Sequence, residues 1–245
     1  MSRSALVTGA SKGIGLGIAT RLAAQGYGLT VTARDAERLE MVAEDLRAAG
    51  APDVVVAAGD MADEEFAVRL AAAHGEHYGA MRALILNAGV GTSGAIADFP
   101  MRRFDKTVAV NLRTPFTLLQ ASLPLLHAAV KADPAGGAKV IALSSMTGVF
   151  AEGGLAVYGA TKAALISIVE TLNAEESGNG ISATAVAPGY VDTDMSAWTH
   201  DVISPESMIK VDDIVEVVDG LLRLSARSVI SKVVVNRAGT SGYSA

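Results

Sequence analysis

The chain contains no cysteine, which excludes disulfide bonds and cysteine-based metal sites. Aromatic residues are scarce, 4% of 245 residues against 50% hydrophobic in total, so a core must be assembled from Ala, Val, Leu and Ile. Layered helices and parallel strands need that composition. No uninterrupted apolar run approaches the roughly 18 residues of a membrane span, although the mean hydropathy is +0.36. A basic excess is missing as well: 20 Lys and Arg against 26 Asp and Glu leave a net charge of -6 and a pI near 5.2. Nucleic acid as a main partner leaves a basic imprint, and this balance speaks for solubility instead. The opening MSRSALVTGASKGIG has neither a sustained apolar stretch nor a small-residue cleavage site, so it reads as structure and not as a signal peptide. These absences predict a soluble cytoplasmic protein that takes neither nucleic acid nor membrane as its partner.

What is present is a regular alternation of short aliphatic runs with longer helical patterns. ALVT leads to a helix from about Gly13 to Gln25, GLTVTA to DAERLEMVAEDLRAAG, and DVVVAA to DEEFAVRLAAAHGE. MRALILN leads to a long helix through FDKTVAVNLRTPFTLLQASLPLLHAAV, AKVIALSS to a further helix, GISATAVAP to one near DDIVEVVDGLLRL, and KVVVN closes the series. Seven strands interleaved with helices predict an α/β fold, a doubly wound parallel sheet of the Rossmann type with right-handed crossovers and helices on both faces. No repeat, low-complexity tract or linker divides residues 1–245, so a single domain is expected. Ligands of such sheets bind outside the carboxyl ends of the strands.

TGASKGIG, Thr8 to Gly15, follows the first strand and opens the first helix. Gly9, Gly13 and Gly15 permit a tight turn, bring the backbone close to a pyrophosphate and allow close helix packing, while the helix N-terminus offers N–H groups to the anion. Ser11, Lys12 and Ile14 complete this candidate cradle, spaced G-x-x-x-G-x-G and not G-x-G-x-x-G. A glycine cluster can be only a structural turn; its place after the first strand favours a nucleotide. The second strand ends VTARDAERL, where an NAD site usually puts a carboxylate for the ribose 2′-OH. Ala33 stands there, Arg34 follows, and Asp35 reads as the N-cap of the next helix. With Lys12 in the turn, two cations and a missing acid predict NADP(H), the competing reading being solvated surface charges.

VYGATKAALISIVETL, residues 157–172, raises a different problem. Leu165, Ile168, Val169 and Leu172 form one apolar helical stripe, and Tyr158 and Lys162, four residues apart, fall on it. An inward lysine needs a partner or a function. With the glycine turn, NAG at Asn87 to Gly89, SS at Ser144 and Ser145, and PGYVDT at Pro188 to Thr193, this Tyr-x-x-x-Lys pair makes the chain resemble a short-chain dehydrogenase/reductase over about residues 3 to 195. The resemblance implies an NADP(H)-dependent oxidoreductase acting on a small-molecule carbonyl or secondary alcohol. It makes Tyr158 the general acid of reduction and base of oxidation, Ser145 the group that orients the carbonyl, with Ser144 the runner-up, and Lys162 a partner of the nicotinamide ribose. Asn111 would hold a water for proton relay beyond the lysine. A free phenol titrates near 10, and the neighbouring ammonium is expected to lower that value. The same resemblance puts Asp60 and Met61 near the adenine and Asn87, Ala88 and Gly89 along its ribose. Pro188, Gly189, Val191 and Thr193 would meet the nicotinamide.

Met146, Phe150, Trp198 and Met208 are expected to make the substrate rim mostly apolar, suiting a hydrophobic ketone or alcohol. A substrate loop at about 190–210 is expected to supply a lid over it. Similar enzymes pair the helix around Asn111 with the one carrying Tyr158, which predicts a homo-oligomer, a tetramer or a dimer. A non-catalytic NADP sensor or scaffold of the same fold is the competing function, but it would have no need of Ser145, Tyr158 and Lys162 together. A hydrolase would want a G-x-S-x-G elbow, which is absent, and His74 and His77 read as solvated surface residues, not metal ligands. Thr184 and the ending VVVNRAGTSGYSA depart from the family's common Asn and VDGG, which weighs against the acyl-carrier-protein ketoreductase subgroup.

Overall fold

In the computed structural model, residues 3–240 are described. β1 (Ser4–Thr8), α1 (Gly13–Ala24), β2 (Gly28–Ala33), α2 (Ala36–Ala48), β3 (Val54–Ala58) and α3 (Glu64–Tyr78) form the first half. β4 (Ala83–Leu86), α4 (Met101–Val108), α5 (Thr114–Ala132), β5 (Ala138–Leu143), α6 (Ala156–Glu176), β6 (Ile181–Pro188), α7 (Val211–Leu222) and β7 (Lys232–Val235) form the second. All seven strands run parallel in the order β3-β2-β1-β4-β5-β6-β7, so the winding reverses between β1 and β4. That reversal opens a crevice at the carboxyl ends of these two strands.

The alternation of side chains along each strand builds two cores. Ala5 and Val7 of β1 face a layer that holds Ile18 and Leu22 of α1, Leu39 and Val42 of α2, and Ile214 and Val218 of α7. Leu6 faces the other, with Leu70 of α3, Leu118 and Leu126 of α5, and Leu165 and Val169 of α6. Each fully buried leucine contributes about 1.5–3 kcal/mol. The sheet is therefore clamped from both sides, and its carboxyl edge becomes a fixed platform for the loops above it.

Two local features depart from the sequence expectation. The long helix predicted through residues 104–130 is interrupted by a π-helical turn, Ala109–Arg113. Pro115 explains it, because it has no N–H to return to the carbonyl of Asn111 four residues earlier. His74 is the second: it is fully buried, not solvated. Its Nδ1 lies 2.8 Å from Thr30 Oγ1 and its Nε2 3.1 Å from both Ser4 Oγ and the Ala80 carbonyl, so it ties α3 to β1 and β2. His77 does lie at the surface, against Asp53. No helix among the described residues is long and apolar enough to cross a membrane.

Candidate active site

The cleft at the strand ends has a volume of about 790 Å³. Its floor begins at the glycine turn, where Gly9 (φ 66°) and Gly13 (φ 56°) take the left-handed conformation that other residues rarely adopt. A Cβ on Gly9 would lie 2.9 Å from Asn87 Nδ2 and 3.1 Å from the Ala88 Cα. One on Gly15 would collide with the Gly9 carbonyl and the Asn87 amide. The approach is tight because Asn87 Nδ2 donates to the Thr8 and Gly9 carbonyls, and Thr8 Oγ1 accepts from the N–H groups of Asn87 and Ala88. Lys12 caps α1 without a side-chain hydrogen bond and the first turn carries no acid, so the N-terminal N–H groups face the cleft uncompensated.

At one end of the cleft the donor set is cationic. Arg34 follows β2, and Arg38 of α2 points back to donate from Nε to the Ser11 carbonyl at 3.0 Å. Asp35 caps α2 by accepting from Arg38 N, so its carboxylate is committed to the helix. Lys12, Arg34 and Arg38 all line the cleft beside Ala33. This arrangement fits a dinucleotide that carries a 2′-phosphate, because three cations are present where a 2′-hydroxyl site would need an acid.

At the other end, the 3₁₀ turn Met146–Gly148 that follows β5 is brought backbone to backbone with α6. A Cβ on Gly148 would stand 2.7 Å from the Lys162 carbonyl carbon, and one on Gly159 would stand 2.8 Å from the Thr147 oxygen. Ser144 Oγ donates to the Lys162 carbonyl at 2.8 Å and so bolts strand to helix. Ser145 caps the short 3₁₀ turn Met146–Gly148 and accepts from Thr147 N and Oγ1. This clamp sets Ser145 beside Tyr158, whose phenol is hydrogen-bonded to it.

The electrostatics differ from expectation. Burial pushes the Tyr158 phenol up to about 12, and the bond to Ser145 only partly opposes this. Lys162 donates to the Leu143 carbonyl at 2.7 Å, and its Nζ lies 5.6 Å from the centre of the Tyr158 ring. An ammonium over the ring face is attracted to the π-cloud and is not paired with the phenol oxygen. Lys162 therefore does not lower the Tyr158 pKa in this geometry, and its own is pushed down to about 8 by burial. Asn111 bonds both the N–H and the carbonyl of Val90, at 2.8 and 3.0 Å. It stands behind Gly89, where an added Cβ would meet Asn111 Oδ1 at 3.4 Å and Lys162 Nζ at 3.5 Å.

The profile of the short chain dehydrogenase family matches residues 3–202. The chain belongs to the short-chain dehydrogenase/reductase family. It is 35% identical over 204 residues to 2-(R)-hydroxypropyl-CoM dehydrogenase of Xanthobacter autotrophicus, an alignment that covers 82% of this chain and 79% of that relative. It is 31% identical over 212 residues to the 3-oxoacyl-acyl-carrier-protein reductase FabG of Staphylococcus aureus, covering 86% and 83%. Among solved structures, a short chain dehydrogenase of Burkholderia cenocepacia in complex with NADP superposes with a TM-score of 0.84 at 29% identity, covering 97% and 96% of the two chains.

In this short-chain dehydrogenase the predicted Gly9, Ser11, Lys12, Gly13, Ile14, Arg34, Asp60, Met61, Asn87, Ala88 and Gly89 all line one cleft with Ser145, Tyr158 and Lys162. Pro188, Gly189, Val191 and Thr193 line it too. Gly15 and Asn111 do not; they pack immediately behind it. The rim requires correction. Met146 and Met208 are buried outside the cleft lining, and the half-buried Phe150 is also absent from it. Only Trp198 is where it was expected, and Leu155, Met195 and Val90 supply the other apolar surface. Arg103 and Lys106 of α4 also reach the cleft and add two cations to its lining. Sequence reading missed Arg38, although its position one turn after Arg34 was a usable signal. It also missed Tyr190, which donates to Glu152 Oε1 at 3.0 Å; burial and the Glu152 charge push that phenol up to about 12.

Proposed function

We propose that this enzyme uses NADP(H) to interconvert a carbonyl compound and the corresponding secondary alcohol, acting on a substrate with an apolar body. The observation that carries the reading is the convergence of Ser145, Tyr158 and Lys162 at one end of a cleft whose other end holds Lys12, Arg34 and Arg38. Lys12 with Arg34 and Arg38 would hold the 2′-phosphate, and the glycine turn the pyrophosphate. When bound, the nicotinamide supplies or accepts the hydride.

The chain's own residues would do the rest. Ser145 donates a hydrogen bond to the substrate oxygen and fixes the carbonyl against Tyr158. The Tyr158 phenol, protonated far above neutral pH, gives its proton to that oxygen in reduction. Lys162 keeps two N–H groups after its bond to the Leu143 carbonyl, one for a cofactor hydroxyl and one toward the phenol oxygen as charge develops there. Behind it, Asn111 would hold a water that resupplies the proton. Residues 190–209 form the substrate loop, tied at its base by Asp192 N to the Ile209 carbonyl and Ile209 N to the Tyr190 carbonyl. Leu155, Met195 and Trp198 would carry the apolar body. Exposed Met101, Phe104 and Phe116 beside α4 and α5 support assembly into a homo-oligomer, which we read as a tetramer.

A panel of ketones and secondary alcohols, assayed with NADPH and NADH, tests this reading. Turnover with NADPH is expected, with NADPH bound more tightly than NADH and the gap narrowed by Arg34→Ala. Equal affinities would overturn the cation argument. Absence of hydride transfer in a protein that binds NADPH would overturn the enzymatic one.

A further inference from the structure

Asp194 reaches from the substrate loop across the mouth of the cleft, and its Oδ2 lies 2.7 Å from Lys12 Nζ. The partners are 182 positions apart in the chain, so the pair bridges the glycine turn and the loop after β6. A second contact lies beside it: a Cβ placed on Gly13 would meet Thr193 Cγ2 at 3.4 Å. The loop thus rests directly on the first turn of α1. Lys12 holds the Asp194 carboxyl below the usual carboxylate range, and the charge of Arg38 adds to this. Asp194 is an acid of the lining set among the cations where a 2′-phosphate would have to bind, while Asp35 is committed to its helix.

We propose that Asp194 is a specificity-determining residue: it competes with the cofactor's 2′-phosphate for Lys12, and phosphate binding releases the loop from the glycine turn. The proposal rests on the NADP(H) reading above. A carboxylate at this distance neutralises one of the cations that a dianionic phosphate would use. Both partners are solvated, with side chains 57% and 75% exposed, so the pair is weak enough to be exchanged. The discrimination between NADP(H) and NAD(H) is then smaller than the three cations alone would give. The loop responds to the 2′-phosphate and not to the rest of the nucleotide.

The probe is 2′,5′-ADP, with 5′-AMP as its control lacking the 2′-phosphate. Trp198, the single tryptophan of the chain, lies on the loop with its ring 6.2 Å from that of Tyr190, so its emission reports loop position. Asp194→Asn is expected to tighten 2′,5′-ADP about three-fold at low salt, as for an exposed ion pair, with no change for 5′-AMP and a smaller gain in high salt. In the unmutated protein 2′,5′-ADP shifts the Trp198 emission; in Asp194→Asn the free protein already emits close to the bound value. In a Lys12→Ala background the Asp194→Asn gain disappears, which separates competition for Lys12 from a general loosening of the loop. Unchanged or weaker 2′,5′-ADP binding in Asp194→Asn, an equal gain for 5′-AMP, or a gain that persists without Lys12 overturns the proposal and leaves the NADP(H) reading standing. An unmutated protein that binds 2′,5′-ADP no better than 5′-AMP overturns both.

Discussion

At the residue scale, the proposed chemistry depends on a phenol and an ammonium that burial drives in opposite directions. Tyr158 is held at about 12 and Lys162 at about 8, so both are protonated at neutral pH and the proposed reduction has its acid ready. The lysine is the group that titrates first. Its pKa lies below the ordinary 10.5, so the cation is present below about 8 and is lost as pH rises through that value. The carbonyl-reduction rate is accordingly expected to fall above about pH 8, measured as kcat against pH with saturating NADPH. A rate that stays flat to pH 10 would show that the Lys162 charge plays no part. The pair itself was legible in the sequence because a tyrosine and a lysine interrupt an apolar stripe. Its electrostatics were not, because the partner that takes up the ammonium is a backbone carbonyl of Leu143, nineteen residues away and on another element.

At the scale of the elements, the sequence periods led to every strand of the sheet, with ends displaced by a residue or two where a strand frays into its loop. Two things escaped. Gly148 and Gly159 set how closely the 3₁₀ turn after β5 approaches α6, a pairwise property that no single-segment pattern contains. His74 sits on the inward face of α3, where two short hydroxyl side chains on different strands satisfy it. That burial predicts a pH effect on folding. The folded pKa of His74, about 4, is depressed below the 6.5 of the free group, so its contribution is complete above 6.5 and is lost as pH falls toward 4. The loss amounts to roughly 3 kcal/mol over that window, at about 1.4 kcal/mol for each pKa unit. The melting temperature is expected to drop between pH 6.5 and 4, and less steeply in His74→Phe once each is compared with its own value at pH 7. Parallel curves for the two proteins would contradict this role.

At the scale of the molecule, the order β3-β2-β1-β4-β5-β6-β7 explains why residues scattered from Gly9 to Thr193 meet in one cleft: they lie at the carboxyl ends of neighbouring strands or on helices that line the cleft with those ends. That convergence was legible from the alternation of strands and helices. The composition of the substrate rim was not, because it depends on how the loops fold back: Met146 and Met208 turned inward while Met195 and Leu155 took the outer positions. The same surface leaves Met101, Phe104 and Phe116 in solvent, an exposure that a second copy would relieve. Light scattering is expected to give the mass of a tetramer, and a monomer at micromolar concentration would contradict the assembly reading. The most direct test of the whole account is the single-turnover rate of ketone reduction by NADPH in Tyr158→Phe, with NADPH affinity measured alongside. The account predicts that affinity stays within a factor of about two while the rate falls by about 10²–10⁴. Retention of the rate in that variant would contradict the assignment of the Tyr158 phenol as the proton donor.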